Sequence, residues 1–444
     1  LTGKSVGKIG FLLSALLLLP AAATSASKVE KMNNSSFAPL GNNIMPIGAW
    51  VAPPPSEILE HKNPNFITNA SYQLAKEAGL NMVYGLYEKV EMHPEEVLQA
   101  LNAAQANGLK YMVIDAAIQA GAEDPDIMKE SMQQYMKHPA YIGNLAIDEP
   151  AAAYFDDLGA SARNFKKFAP NRYFYVNLLP NYATKNQLFI DKSDETGGQP
   201  SAADYQKYLD QFVAKVKPDF LSYDNYPLEG EFPSLRDEYF ENMSAVRKTA
   251  AKNHIPYWVF IQASSWSKYA RLPKDSETFW QVNTALAYGA KGIQYFTFWC
   301  PLEPGFKGGM VSRTGEKTEI YGAVQKINKQ IAAIDHILMN SVSKGVIVHR
   351  TSPVPVPAKD QLKKDALLTS LTGTTPVLAG VFDYKGKAAY YVVNNTIDQD
   401  GDVTLHFSKS VATELYQNAK KSAKSGSELV LKLTAGEGVL VVVS

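Results

Sequence analysis

Eight short runs rich in β-branched and aromatic residues recur along the first three quarters of the chain, and amphipathic helical runs lie between them. The strand-like runs are MPIGAWVAP (45–53), LNMVYGLYE (80–88), LKYMVIDAAI (109–118), YIGNLAIDEP (141–150), YFYVNLLP (173–180), DFLSYDNYP (219–227), YWVFIQASSW (257–266) and IQYFTFWCP (293–301). Strands this apolar are buried on both faces, the condition of a parallel sheet covered by helices. ITNASYQLAKEAG, HPEEVLQALNAAQANG and SAADYQKYLDQFVAKVKP are the clearest helical runs. The glycines ending the first two, and that in AYGAKG, stand where a left-handed residue closes a helix. Eight such units, ending with TEIYGAVQKINKQIAAIDHILMN, predict an α/β fold: a closed (β/α)8 TIM barrel over 45–340 rather than an open doubly wound sheet. No glycine-rich phosphate loop follows the first strand, which counts against dinucleotide binding.

Past residue 340 the period changes. GVIVHR, PVLAGVFDY, KAAYYVVNNT, DVTLHF, ATELYQ, ELVLKL and GVLVVV are separated by Gly, Asp, Asn and Ser. They predict a C-terminal antiparallel β-sandwich over 341–444. At the other end, Lys4 and Lys8 precede the apolar stretch IGFLLSALLLLPAAA and a small-residue zone, ATSAS. That is the pattern of a cleaved signal peptide, expected over 1–27, with a polar lead-in segment over 28–44. The stretch is short for a bilayer, so no stable membrane insertion is expected. Cys300 is the one cysteine of the 444 residues, so no disulfide forms within the chain. A secreted or periplasmic bacterial protein is the expectation. Lys plus Arg number 44, as do Asp plus Glu, leaving no global field to recruit nucleic acid.

Parallel barrel strands bring their C-terminal ends to one face. Taken in order, these ends carry Trp50, Tyr87, Glu88, Asp115, Asp148, Glu149, Asn177, Asp224, Tyr226, Gln262, Trp266 and Trp299, with Glu303 in the loop after the eighth strand. Sugar rings offer apolar faces that stack on aromatic planes, and their hydroxyls are satisfied by side chains such as Asp, Glu, Asn and Gln. The expected partner is therefore a carbohydrate substrate; the alternative for each Trp is to plug the top of the barrel. Adjacent carboxylates such as Asp148 and Glu149 cost free energy at a strand end unless solvated, paired or catalytic. Cleaving a glycosidic bond needs a proton donor and a group supporting an oxocarbenium-like transition state. Glu149 suits the donor role, since burial and Asp148 would raise its pKa. The plain alternative is that the pair caps the following helix. Asp224 is the first choice for second carboxylate, followed by Glu303 and Glu88.

The tail of the fourth strand (IDEP), the sixth strand (FLSYDNYP) and the eighth (LAYGAKGIQYFTFW) together resemble bacterial barrel glycoside hydrolases related to clan A, the family 42 β-galactosidase-like enzymes in particular. The resemblance implies that Glu149 is the general acid/base. Asp148 stands where such enzymes usually carry Asn. At strand 7, where they carry a nucleophilic Glu, this chain has Gln262, which cannot attack an anomeric carbon. The implied function is exported hydrolysis of poly- or oligosaccharides. Gln262 keeps two alternatives open: a substrate-assisted N-acetylhexosaminidase-type hydrolase using the Asp148–Glu149 pair, and a non-catalytic glycan-binding barrel. No metal or other cofactor is expected. The seven histidines show no His-x-His or His-x-x-x-His spacing, and no Gly-x-Ser-x-Gly elbow is present. Cys300 reads as a structural thiol.

Overall fold

A computed structural model describes residues 40–58, 61, 62, 64–267 and 270–444; the expected signal peptide and most of the lead-in segment lie outside them. Eight parallel strands form the first sheet: β1 (Ile47–Trp50), β2 (Met82–Lys89), β3 (Lys110–Ile114), β4 (Tyr141–Asp148), β5 (Tyr173–Asn177), β6 (Leu221–Tyr223), β7 (Tyr257–Gln262) and β8 (Gly292–Phe296). Their order is β5-β4-β3-β2-β1-β8-β7-β6. The sheet closes where Leu178, just past β5, bridges Tyr223 and donates its N–H to the Ser222 carbonyl at 2.9 Å. The result is the expected barrel.

A helix follows each strand: α1 (Asn69–Glu77), α2 (Pro94–Ala106), α3 (Pro125–Met132), α4 (Phe155–Phe168), α5 (Ala202–Val216), α6 (Tyr239–Asn253), α7 (Asp275–Tyr288) and α8 (Glu319–Leu338). Their ends follow the local sequence. Thr68, Asp124 and Ser201 cap α1, α3 and α5 by accepting backbone N–H groups, and Pro94 opens α2. Gly79, Gly108 and Gly289 take the left-handed conformation, with φ of 80°, 65° and 97°, as their positions in the sequence predicted. The strand expected over 109–118 stops at Ile114. There the Asp115 carboxylate accepts the Ala117 N–H at 2.9 Å and turns the chain into a short helix, Ala117–Ala120.

The barrel interior holds one polar chain that matters for the site. Gln294 on β8 accepts the hydroxyls of Tyr84 and Tyr175 and donates to Ser222 Oγ at 2.9 Å. Ser222 then donates to Asn177 Oδ1 at 3.1 Å. Because the carbonyl oxygen of Asn177 is taken from below, its amide N–H groups face the mouth.

The C-terminal strands are β9 (Ser341–His349), β10 (Leu368–Gly373), β11 (Val377–Tyr384), β12 (Lys387–Asn394), β13 (Gly401–Gln417), β14 (Lys420–Leu433) and β15 (Gly438–Val443). They run in the order β9-β11-β12-β15-β13-β10, with β14 on β13. The runs DVTLHF and ATELYQ are one continuous strand, β13, which pairs β10 through its first half and β15 through its second. Such a change of partner lets one strand serve both layers of a sandwich. β10, LTSLTG, carries too many hydroxyl residues to stand out in the sequence. Alternation divides the faces: Val377, Ala379 and Val381 fill the sandwich, whereas Leu378 and Phe382 join the barrel core. Hydrogen bonds across the docked face include Trp280 Nε1 to Asn395 Oδ1, Tyr391 OH to Asn283 Oδ1, and Gln330 Nε2 to the Gly438 carbonyl, each 2.8 Å. The sandwich thus packs on α7 and α8 and leaves the mouth open. Among the described residues, no helix is long and apolar enough to cross a membrane.

Candidate functional site

A cleft of about 520 Å³ opens at the C-terminal ends of the strands, lined in part by Trp50, Asp148, Glu149, Asn177, Asp224, Tyr226 and Trp266. These seven positions, from the ends of five strands, were all singled out in the sequence. Asp148 and Glu149 sit half-buried at the end of β4, whereas Asp224, after β6, is almost fully buried. Asn177 ties them together, donating from Nδ2 to Asp224 Oδ1 at 2.9 Å and to Asp148 Oδ1 at 3.3 Å. Glu149 and Asp224 line the same cleft, close enough for each carboxyl to influence the other's ionisation. Glu149 reaches this position from a left-handed backbone, φ 53°, secured by its N–H on the Asn177 carbonyl at 2.9 Å. A glutamate held in that sparsely populated region at a cleft marks a functional constraint.

Burial, then the charge of Asp148, push Glu149 up to about 7, against the opposing pull of Lys192. Asp224 is driven well above the usual carboxylate range by burial and by the charges of Glu149 and Asp148, while the Asn177 amide opposes the shift. Carboxyls that interact this strongly titrate as a unit. Burial also raises Asp148, with Lys192 and Asn177 acting the other way. The Lys192 ammonium lies 4.0 Å from Asp148 Oδ2 and donates to the Asp148 carbonyl at 2.9 Å.

Aromatic rings form the walls. Trp50 meets Phe260 edge-on at 5.3 Å, and Trp266 meets Tyr226 at 4.7 Å and Phe296 at 5.3 Å, also edge-on. Tyr182, Phe296 and Phe306 line the cleft as well, with the polar residues Thr184, Gln187 and Glu195. Sequence reading passed over them: Phe296 is the last residue of β8 but Trp299 was chosen in its place, and the others lie beyond the strands. The signal that would have found Tyr182 and Phe306 is the presence of aromatics in the loops following β5 and β8.

Six candidates stand elsewhere. Glu88 is 1% exposed and accepts the Tyr111 hydroxyl beneath the helices. The pairing of β2 with β3 shifts register between Tyr84 and Lys89, which breaks the alternation from which a mouth position was inferred. Gly85 makes room for this arrangement, since a Cβ there would lie 2.1 Å from the Tyr111 hydroxyl. Asp115 is occupied by Ser131 Oγ at 2.7 Å and Tyr135 OH at 2.6 Å, besides its turn. Gln262 is fully buried and braces two loops, accepting the Leu228 N–H at 3.2 Å and donating to the Arg271 carbonyl at 2.8 Å. Trp299 does plug the fold: it is fully buried against Phe66, with ring centroids 4.7 Å apart. After β8 the chain bonds to the end of β1, with Phe298 N–H on the Trp50 carbonyl, so Phe296 takes the wall position instead. Glu303 accepts from Tyr87 OH at 2.8 Å in a neighbouring recess, away from the carboxyl cluster. Burial raises the pKa of the Cys300 thiol, consistent with an inert group.

No curated protein matches the chain in sequence. The family model described as β-galactosidase, of glycoside hydrolase family 42, matches residues 182–334. Among solved structures, a family 5 glycoside hydrolase from Bacteroides vulgatus aligns with a TM-score of 0.53 and 11% identity over 90% of this chain and 89% of its own. A family 39 glycoside hydrolase from Bacteroides cellulosilyticus aligns with a TM-score of 0.52 and 13% identity over 91% and 82%. At such identities the structural likeness carries the fold, a (β/α)8 barrel. The family match carries the activity class, hydrolysis of O-glycosyl bonds, and its segment contains Tyr182, Asp224, Tyr226 and Trp266.

Proposed function

We propose that the chain is an exported glycoside hydrolase in which Glu149 is the general acid/base and Asp224 the second carboxyl. The observation that carries this reading is the gathering of both carboxyls, with Asp148, in one aromatic-walled cleft. Glu149, pushed up to about 7, keeps a proton for the leaving oxygen near neutral pH. The Asn177 amide at 2.9 Å offsets part of the rise that burial and the neighbouring charges impose on Asp224, and in this reading Asp224 is the member of the cluster that ionises to serve as nucleophile. Retention needs carboxyls roughly 5–5.5 Å apart and inversion roughly 6.5–9.5 Å; with Asp224 as nucleophile this reading takes the retaining route. Gln262, committed to two loops, takes no part.

The test is a screen of the purified full chain against aryl glycosides and oligosaccharides, β-galactosides first, followed by NMR of the first product anomer. Hydrolysis with retained configuration is the expected result. Saturable glycan binding without turnover would favour a binding barrel instead. Turnover confined to 2-acetamido sugars would favour the substrate-assisted route.

A pH profile tests the electrostatics. Glu149 acts protonated, so kcat/KM falls as pH rises through its free-enzyme pKa of about 7. Asp148→Asn removes a charge that raises this pKa and should move the alkaline limb to lower pH. Lys192→Met removes a charge that lowers it and should move the limb to higher pH. Shifts of the same sign in both variants would refute this account of the cluster.

A further inference from the structure

Beside the carboxyl cleft lies a second recess of about 480 Å³, entered across Trp50, Phe296 and Phe306, which line both. Its remaining wall includes Leu86, Tyr87 and Met92. Several polar groups of this wall are already engaged. Tyr87 OH donates to Glu303 Oε2 at 2.8 Å and accepts the Leu302 N–H at 3.0 Å. Arg313 takes the carbonyls of Pro301, Glu303 and Phe306 at 2.8, 2.8 and 3.2 Å, so this loop turns its backbone acceptors to the arginine and its side chains to the recess. His93 is held by Glu96 at 3.4 Å, and Lys89 stands at the edge toward Asp115. The carboxyl cleft carries more polar side chains, Asn177, Thr184, Gln187 and Glu195 among them, although Thr184 and Gln187 also cap a short helix.

We infer that this recess is the leaving-group subsite and that it takes a flat apolar aglycone rather than a second sugar. A pyranose there would lose water from hydroxyls that find few free partners, which is costly. A ring system of one or two fused rings loses nothing by the exchange and stacks on Trp50 and Phe296. Met92, 65% exposed at the rim, offers an adaptable thioether to whatever ring enters. The inference rests on the hydrolase reading for its word "leaving", but the recess can be probed without turnover.

The experiment has two arms. In the first, kcat/KM is compared for 2-naphthyl and phenyl β-galactosides, whose leaving groups have similar acidity, and for a β-galactosyl disaccharide. The wild-type preference for naphthyl over phenyl should be about 10-fold, the scale of a modest apolar contact. It should collapse toward unity in Met92→Gln and Leu86→Gln, with Met92 the safer site because of its exposure. In the second arm, free 2-naphthol is titrated into the full chain by tryptophan fluorescence, with saturable binding weakened about 10-fold in both variants. A disaccharide preferred over the naphthyl glycoside, or binding and selectivity untouched by both variants, would overturn the inference and leave the hydrolase reading intact. Binding of 2-naphthol with the expected variant effects, but no turnover of any glycoside, would support the recess and count against the hydrolase reading.

Discussion

Glu149→Gln is expected to lower kcat/KM on natural glycans by about 10²–10⁴-fold, the usual yield of general acid–base catalysis, because Gln keeps the shape and loses the transferable proton. The loss should shrink on aryl glycosides whose leaving group departs without protonation. Stability should move the other way. Burial raises Glu149 from the ordinary 4.5 to about 7, so its contribution is fully present below about pH 4.5 and is lost as pH rises through about 7. Gln does not titrate. The variant should therefore melt at or above the wild-type temperature at pH 8, with the gap closing toward pH 4. Near wild-type turnover of an unactivated glycan by folded Glu149→Gln would remove the residue from the mechanism.

Asp224→Ala should be as damaging on every substrate, activated or not, since a nucleophile is needed whatever the leaving group. Added azide separates the two roles. With Asp224→Ala, azide can occupy the vacated space, attack the anomeric carbon and displace the aglycone, giving a glycosyl azide of inverted configuration. With Glu149→Ala and an activated substrate, azide attacks the glycosyl–enzyme from the opposite side and gives the retained azide. Product configuration by NMR reads the assignment directly. Retained azide from the Asp224 variant, or affinity lost with kcat preserved, would make Asp224 a positioning group for the substrate.

The site also depends on the barrel core beneath it. The hydrogen-bond chain from Gln294 through Ser222 sets which way the Asn177 amide faces, and Asn177 in turn holds Asp148 and Asp224. Polar groups buried in a barrel are costly unless every partner is met. Here the partners are met, and the chain aligns a cluster of acids that would otherwise repel one another.

What the sequence determined by itself was the repeat and its consequence. Eight apolar runs alternating with capped helices can bury their surfaces only by closing into a barrel, and closure brings the strand ends Trp50, Asp148, Glu149, Asn177 and Asp224 to one mouth. Tertiary structure decided where each side chain near that mouth spends its bonds. Glu88 turns beneath the helices because β2 slips register, Gln262 is drawn to the loops at Leu228 and Arg271, and Trp299 is pulled away when the chain after β8 pairs with β1. It also decided that Glu149 and Asp224 share one cleft. Strand period is a local property, set by which faces are apolar, and so it is written in the residues themselves. A side chain's partner comes from elsewhere in the chain, and a pKa near 7 depends on burial and neighbouring charges that exist only once the barrel has closed.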